Sequence, residues 1–154
     1  MRKFLTASLV IMLLLVTGVP VSAAQENTLT IYNSVDFGSG DQLPSPFTAW
    51  GPAVDAGLFC ASGTVYTIET VVAGPPDFSK KNFHTTKVFE CDDGSGSITV
   101  FLHAHVVFDP YHNIGEWNVL SGTGDYGRLY GRGSQVGEPT VVGVNDTYTG
   151  WVNY

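Results

Sequence analysis

Twelve consecutive residues, Ser97–Phe108, admit essentially one conformation. Their even-numbered side chains are Ile98, Val100, Leu102, Ala104, Val106 and Phe108, all apolar. Their odd-numbered ones are Thr99, Phe101, His103, His105 and Val107. A period of two with one wholly apolar face is the signature of a strand that packs one side on a core. A helix would scatter the same six residues around its circumference. A one-residue slip would turn the whole apolar set to solvent, so the phase is fixed. The even face is expected to be buried. One arrangement reverses that: an oligomer interface could cover the even face and leave the histidine face inside.

The rest of the chain beyond its first 24 residues has the same character. β-Branched and aromatic runs alternate with Gly, Pro, Asp and Asn. Strands are predicted over 28–33, 57–60 with 64–72, 83–90, 116–121, 128–134 and 140–151. Residues 37–52, rich in Gly, Ser, Pro and Asp, read as a long loop. Seven or eight short strands make an all-β domain, a sandwich or a barrel. No linker or second domain is visible.

The N-terminus reads differently. Arg2 and Lys3 precede an apolar run over 4–16, and Gly18 and Pro20 end it. Val21-Ser22-Ala23-Ala24 then offers small residues for signal peptidase. The run is too short for the ~20 residues of a membrane-spanning helix. Residues 1–24 are therefore expected to be a signal peptide and 25–154 one domain, secreted to the extracellular space or periplasm. Of the seven basic residues, two lie in the signal segment, leaving five against fourteen acidic ones, a formal charge of −9. Such a domain repels phosphate backbones, so no nucleic-acid partner is expected. Membrane insertion after cleavage is not expected either. Cys60 and Cys91 are the two cysteines, and in an exported chain they read as a disulfide. Closing a loop of about 30 residues is worth roughly 3–4 kcal/mol in the chain-entropy model.

The stretch Trp117-Asn118-Val119-Leu120-Ser121-Gly122-Thr123-Gly124-Asp125-Tyr126-Gly127-Arg128-Leu129-Tyr130-Gly131-Arg132-Gly133 resembles the Gly-rich hairpin of the allene oxide cyclase-like and dirigent-like β-barrels. Asn82-Phe83-His84, the segment Cys91 to Gly96, and Asp146-Thr147-Tyr148-Thr149-Gly150 are similar to segments of exported bacterial proteins with the same hairpin. The resemblance covers roughly residues 57–152. It implies one antiparallel β-barrel of about eight strands, calycin-like, whose cavity binds a small, mostly apolar molecule and in some relatives steers a cyclisation or coupling. It also implies homo-oligomers. The glycines have a physical meaning of their own: Gly131 and Gly133 share a strand face, where missing side chains let a barrel bend shut.

His84, His103 and His105 form the sharpest chemical constellation. If 92–96 is a tight hairpin with Asp93-Gly94 at its centre, His84 falls opposite His103; with Gly94-Ser95 at its centre, opposite His105. Either register puts three imidazoles on one face, and a three-residue loop does not. Three imidazoles are a zinc-type donor set with an open position. The plainer readings are exposed strand histidines or ones bonded to neighbours, and no metal or cofactor is expected. The candidate catalytic set is His84 and His105 as acid–base groups, with Glu69 if that carboxylate faces a cavity. Solvent exposure is the better reading of Glu69, which shares a predicted face with Thr67 and Val71. Asp146, between Val144 and Tyr148 on one face, poses the same choice. Lys87, alternating with Thr85 and Phe89, reads as a surface lysine on an edge strand. Three functions follow: a small-molecule binder, a barrel enzyme, or a secreted structural or interaction module.

Overall fold

The computed structural model of the chain describes residues 27–37 and 44–154. The expected signal segment lies outside the described residues. Eight antiparallel strands close into a barrel in simple chain order: β1 (Thr28–Asp36), β2 (Ser45–Trp50), β3 (Ser62–Ala73), β4 (Lys80–Cys91), β5 (Ser97–Phe108), β6 (Tyr111–Gly122), β7 (Tyr130–Pro139) and β8 (Gly143–Asn153). β8 returns to pair with β1, which closes the barrel. One helical turn, α1 (Pro52–Asp55), follows β2. Among the described residues no helix is long and apolar enough to cross a membrane.

The even face of β5 is the interior, as its pattern demands: Ile98 is fully buried, and Val100, Leu102, Ala104 and Val106 are all buried. Leu29 and Ile31 of β1, Phe47 and Ala49 of β2, Val65 of β3, Phe89 of β4 and Tyr148 and Val152 of β8 join it. The predicted loop over 37–52 conceals β2. Pro46 breaks the strand pattern in sequence, yet its neighbours Phe47 and Ala49 alternate inward correctly. The predicted strand over 57–60 is instead turn and coil leading to the disulfide.

The two ends of the barrel differ. Residues 51–60 and the short 3-10 turn Gly124–Tyr126 fold over one end. There Ala53, Phe59, Tyr126 and Leu129 are buried, and Phe47 packs edge-on against both Phe59 and Phe89. Cys60 and Cys91 are bonded at this end, with Cα atoms 5.9 Å apart. A buried bridge of this kind suits an oxidising compartment. At the other end Phe37, Val72, Phe78, Phe108, Val141 and Val142 are exposed, an apolar rim around a mouth that no described residue closes. The fold is a cup.

Gly133 of β7 stands opposite Gly150 of β8. The Trp117 indole lies over both from inside and donates from Nε1 to the carbonyls of Ser134 (3.1 Å) and Thr149 (3.3 Å). A Cβ on Gly133 would fall 1.9 Å from the Thr149 oxygen. The Gly-rich motif is thus the wall that lets the strands close around Trp117.

Candidate functional site

Residues on several strands converge inside the cup. The cavity behind the mouth has a volume of about 250 Å³. Its walls are mostly apolar: Val35, Val72, Phe83, Leu102, Ala104 and Val106 among them. That is somewhat smaller than the roughly 300–1,000 Å³ of typical small-molecule pockets, and has the same character.

Four polar side chains meet at its inner end. Lys87 points inward from β4 because it shares a phase with Thr85 and Phe89. Asp146 points inward from β8 between Val144 and Tyr148. The Lys87 Nζ and Asp146 Oδ2 are 3.8 Å apart, both side chains more than nine-tenths buried. Gln135 of β7 donates from Nε2 to Asp146 Oδ1 at 2.7 Å. Tyr148 OH lies 3.4 Å from Asp146 Oδ2 and donates to it. Gln135 Oε1 and, nearer the mouth, Asn113 Oδ1 are buried without a hydrogen-bond partner among the described residues. Asn113 Nδ2 donates to Tyr111 OH at 3.3 Å.

Burial sets the electrostatics. It pushes the Lys87 ammonium below its usual range, and Asp146 only partly offsets this. It pushes the Asp146 carboxyl up, against the pull of Lys87, Gln135 and Tyr148. Both shifts run toward the neutral pair, an amine beside a carboxylic acid. Tyr148 is pushed well above the usual phenol range by the same burial, so it remains a donor.

The candidate catalytic residues read from sequence, His84, His105 and Glu69, lie elsewhere. The β4–β5 register sets His84 opposite His103, with Asp93-Gly94 central in the turn. The three histidines do share one face, and it is the outer one, because the even face of β5 fills the interior. The His84 and His103 rings stack at 4.4 Å with an 11° interplanar angle. His105 Nδ1 lies 2.8 Å from Asn82 Oδ1. Among the described residues, no group of three or more His, Cys, Asp or Glu is placed to hold a metal ion. Glu69 is exposed. A bulge at Ile68 inserts an extra residue between Thr67, opposite Lys87, and Glu69, opposite Thr86. The bulge reverses the phase, so Glu69 faces outward although Thr67 faces in. Lys87 corrects the surface reading in the other direction: β4 is paired on both sides, and its lysine is interior. The sequence signal for the buried cluster was a charge between apolar or aromatic neighbours two residues away, present at Asp146 between Val144 and Tyr148 and only halfway at Lys87, which has Thr85 on one side and Phe89 on the other.

A second concavity, about 1050 Å³ and broadly open, lies on the outer wall between Trp50, His103, Glu116, Arg132 and Trp151. It has no buried polar group comparable to the Lys87–Asp146 pair.

Compared with protein-family models and with curated proteins, the chain matches none.

Proposed function

We propose that this chain is a secreted barrel protein that takes a small, mostly apolar molecule through its open mouth and sets the molecule's polar end against Lys87 and Asp146. One observation carries the reading: an apolar cup that ends on a buried ion pair. A well-packed apolar floor would be at least as stable as such a pair, so stability alone does not account for it. An apolar pocket with a few convergent, perturbed polar groups is the usual form of a ligand site. The apolar rim offers a lipophilic molecule a path in from solvent. The resemblance to allene oxide cyclase-like and dirigent-like barrels points the same way. The alternative, a barrel that steers a cyclisation or coupling, is favoured by the same amine and carboxyl, which are placed for proton transfer. The acid–base role read for His84, His105 and Glu69 does not draw on this cavity, since those residues lie outside its wall.

The test is urea denaturation with octan-1-ol as the probe. Octanol at 100 times its dissociation constant should stabilise the fold by about 2.7 kcal/mol. Ala104→Phe, which fills the cavity from β5, should remove the effect. An unchanged midpoint in the wild-type protein at saturating octanol overturns the reading.

A further inference from the structure

Lys87 is chemically unlike the other two lysines of the described barrel. Lys80 is exposed at the start of β4. Lys81 is buried near the mouth, but its Nζ donates to the Pro75 carbonyl at 2.7 Å and lies 4.1 Å over the Phe78 ring. Lys87 alone ends within the cavity, beside a carboxyl that two other side chains hold in place. The charge of the pair sums to zero, so an anionic ligand such as a fatty-acid carboxylate would find no surplus positive charge and would meet Asp146 within a few ångströms. A neutral ligand fits this floor better. Among neutral polar ends, a carbonyl is the one that an amine beside a carboxylic acid can engage covalently.

We propose that the cavity holds small apolar aldehydes or ketones by reversible imine formation on Lys87, with Asp146 as the proton donor and counter-ion. This rests on the ligand-binding reading above and names its ligand class. A proton first passes from the Lys87 ammonium to the Asp146 carboxylate; the freed amine adds its lone pair to the carbonyl carbon, and a proton moves from nitrogen to oxygen to give the carbinolamine. The Asp146 carboxyl then protonates the hydroxyl, the C–O bond breaks and water leaves. The products are an iminium ion on Lys87 and a carboxylate on Asp146, a new ion pair in the place of the old one. No oxidant or reductant is needed. Burial favours the amine form of the lysine, which is the nucleophile. Gln135 and Tyr148 keep the Asp146 oxygens oriented toward the reacting centre.

The experiment treats the purified protein with octanal and sodium cyanoborohydride, which reduces an iminium to a stable secondary amine. Peptide mapping locates the octyl group, and octan-1-ol in urea denaturation reports non-covalent binding alongside. The expected result is labelling of Lys87 at least about tenfold faster than Lys80, with excess octanol slowing it. Lys87→Arg keeps the charge and should abolish the interior label; the wild-type map decides the matter whether or not that variant folds. Octanol stabilisation without a Lys87 adduct overturns the imine while the apolar-ligand reading stands. Labelling spread evenly over Lys80 and Lys87 also overturns it. If neither octanol nor octanal acts on the interior, both readings fall.

Discussion

Lys87 on β4 and Asp146 on β8 meet at 3.8 Å across the lumen, although their strands lie on opposite sides of the barrel and share no hydrogen bond. The contact ties two walls together through a site that water reaches poorly. Removing one partner strands the other. Lys87→Met should cost about 3–5 kcal/mol at neutral pH, because it leaves a buried carboxylate without its cation. Lys87→Met combined with Asp146→Leu should recover most of the loss.

The pH dependence of Lys87→Met follows from the same pair. Burial already holds the Asp146 carboxyl above its usual range, and loss of Lys87 raises it further. A carboxyl raised in the folded state favours folding below its unfolded value, and that favour is lost as pH rises through the folded value. The deficit of Lys87→Met relative to wild type should therefore be smallest in acid and grow as pH rises past the folded-state value of Asp146 in the wild type, which burial holds above the usual carboxylate range. It should level off once Asp146 is ionised in the folded protein. Urea midpoints measured across that window check the sign. A deficit that widens in acid would contradict it.

The barrel itself was largely legible in sequence, because alternation reports burial directly. Ser97–Phe108 shows this best: its bounds, phase and core face all follow from six apolar residues. The interior site was not legible, for reasons that can be named. Asp146 is 59 positions from Lys87, and nothing local says that the two face each other. Glu69 is exposed, as its better reading had it, but it does not share a face with Thr67, because the bulge at Ile68 carries no glycine or proline to announce it. β2 was hidden by Pro46 and by the polar, Gly-rich residues around it. Each miss is a place where a local rule gave way to closure of the barrel.

The disulfide offers a cleaner test of the closed end. Cys60 precedes β3 and Cys91 ends β4, and both sit in the core cluster with Phe47, Phe59 and Phe89. Replacing both cysteines by alanine should lower stability by about 3–4 kcal/mol through the longer-range freedom of the unfolded chain. The cavity lies toward the other end, so octanol should still raise the urea midpoint of the double variant at temperatures where it folds.

Gly133 tests the wall of the barrel. A methyl group there meets backbone, the Thr149 oxygen at 1.9 Å and the Gly150 Cα at 2.7 Å, besides the Trp117 indole nitrogen at 2.7 Å. The β7–β8 ladder must move to admit it. Gly133→Ala should cost at least about 2 kcal/mol, as overpacking against backbone does. Gly127 is the control. It has ordinary helical backbone angles, and beyond its chain neighbours the nearest atom to its Cβ position is the Gly124 oxygen, 3.6 Å away. Gly127→Ala should be neutral or stabilising by up to about 1 kcal/mol. Denaturation midpoints of the two variants should differ accordingly.

Neighbouring positions on β4 separate the inside of the barrel from the outside. His84 faces out and stacks on His103; Thr85, the next residue, faces into the cavity. The wall lies between the histidines and any molecule in the cup. His84→Ala and His105→Ala should therefore leave the octanol-induced rise in urea midpoint unchanged, at a stability cost of about 0.5–1 kcal/mol each for the lost stacking and hydrogen-bond contacts. Thr85→Phe should abolish that rise, since its ring would occupy the chamber beside Lys87. The opposite result, with octanol binding lost in the histidine variants and kept in Thr85→Phe, would move the ligand to the outer face and the concavity near Trp50 and Trp151. One strand and one measurement decide which side of the wall the molecule uses.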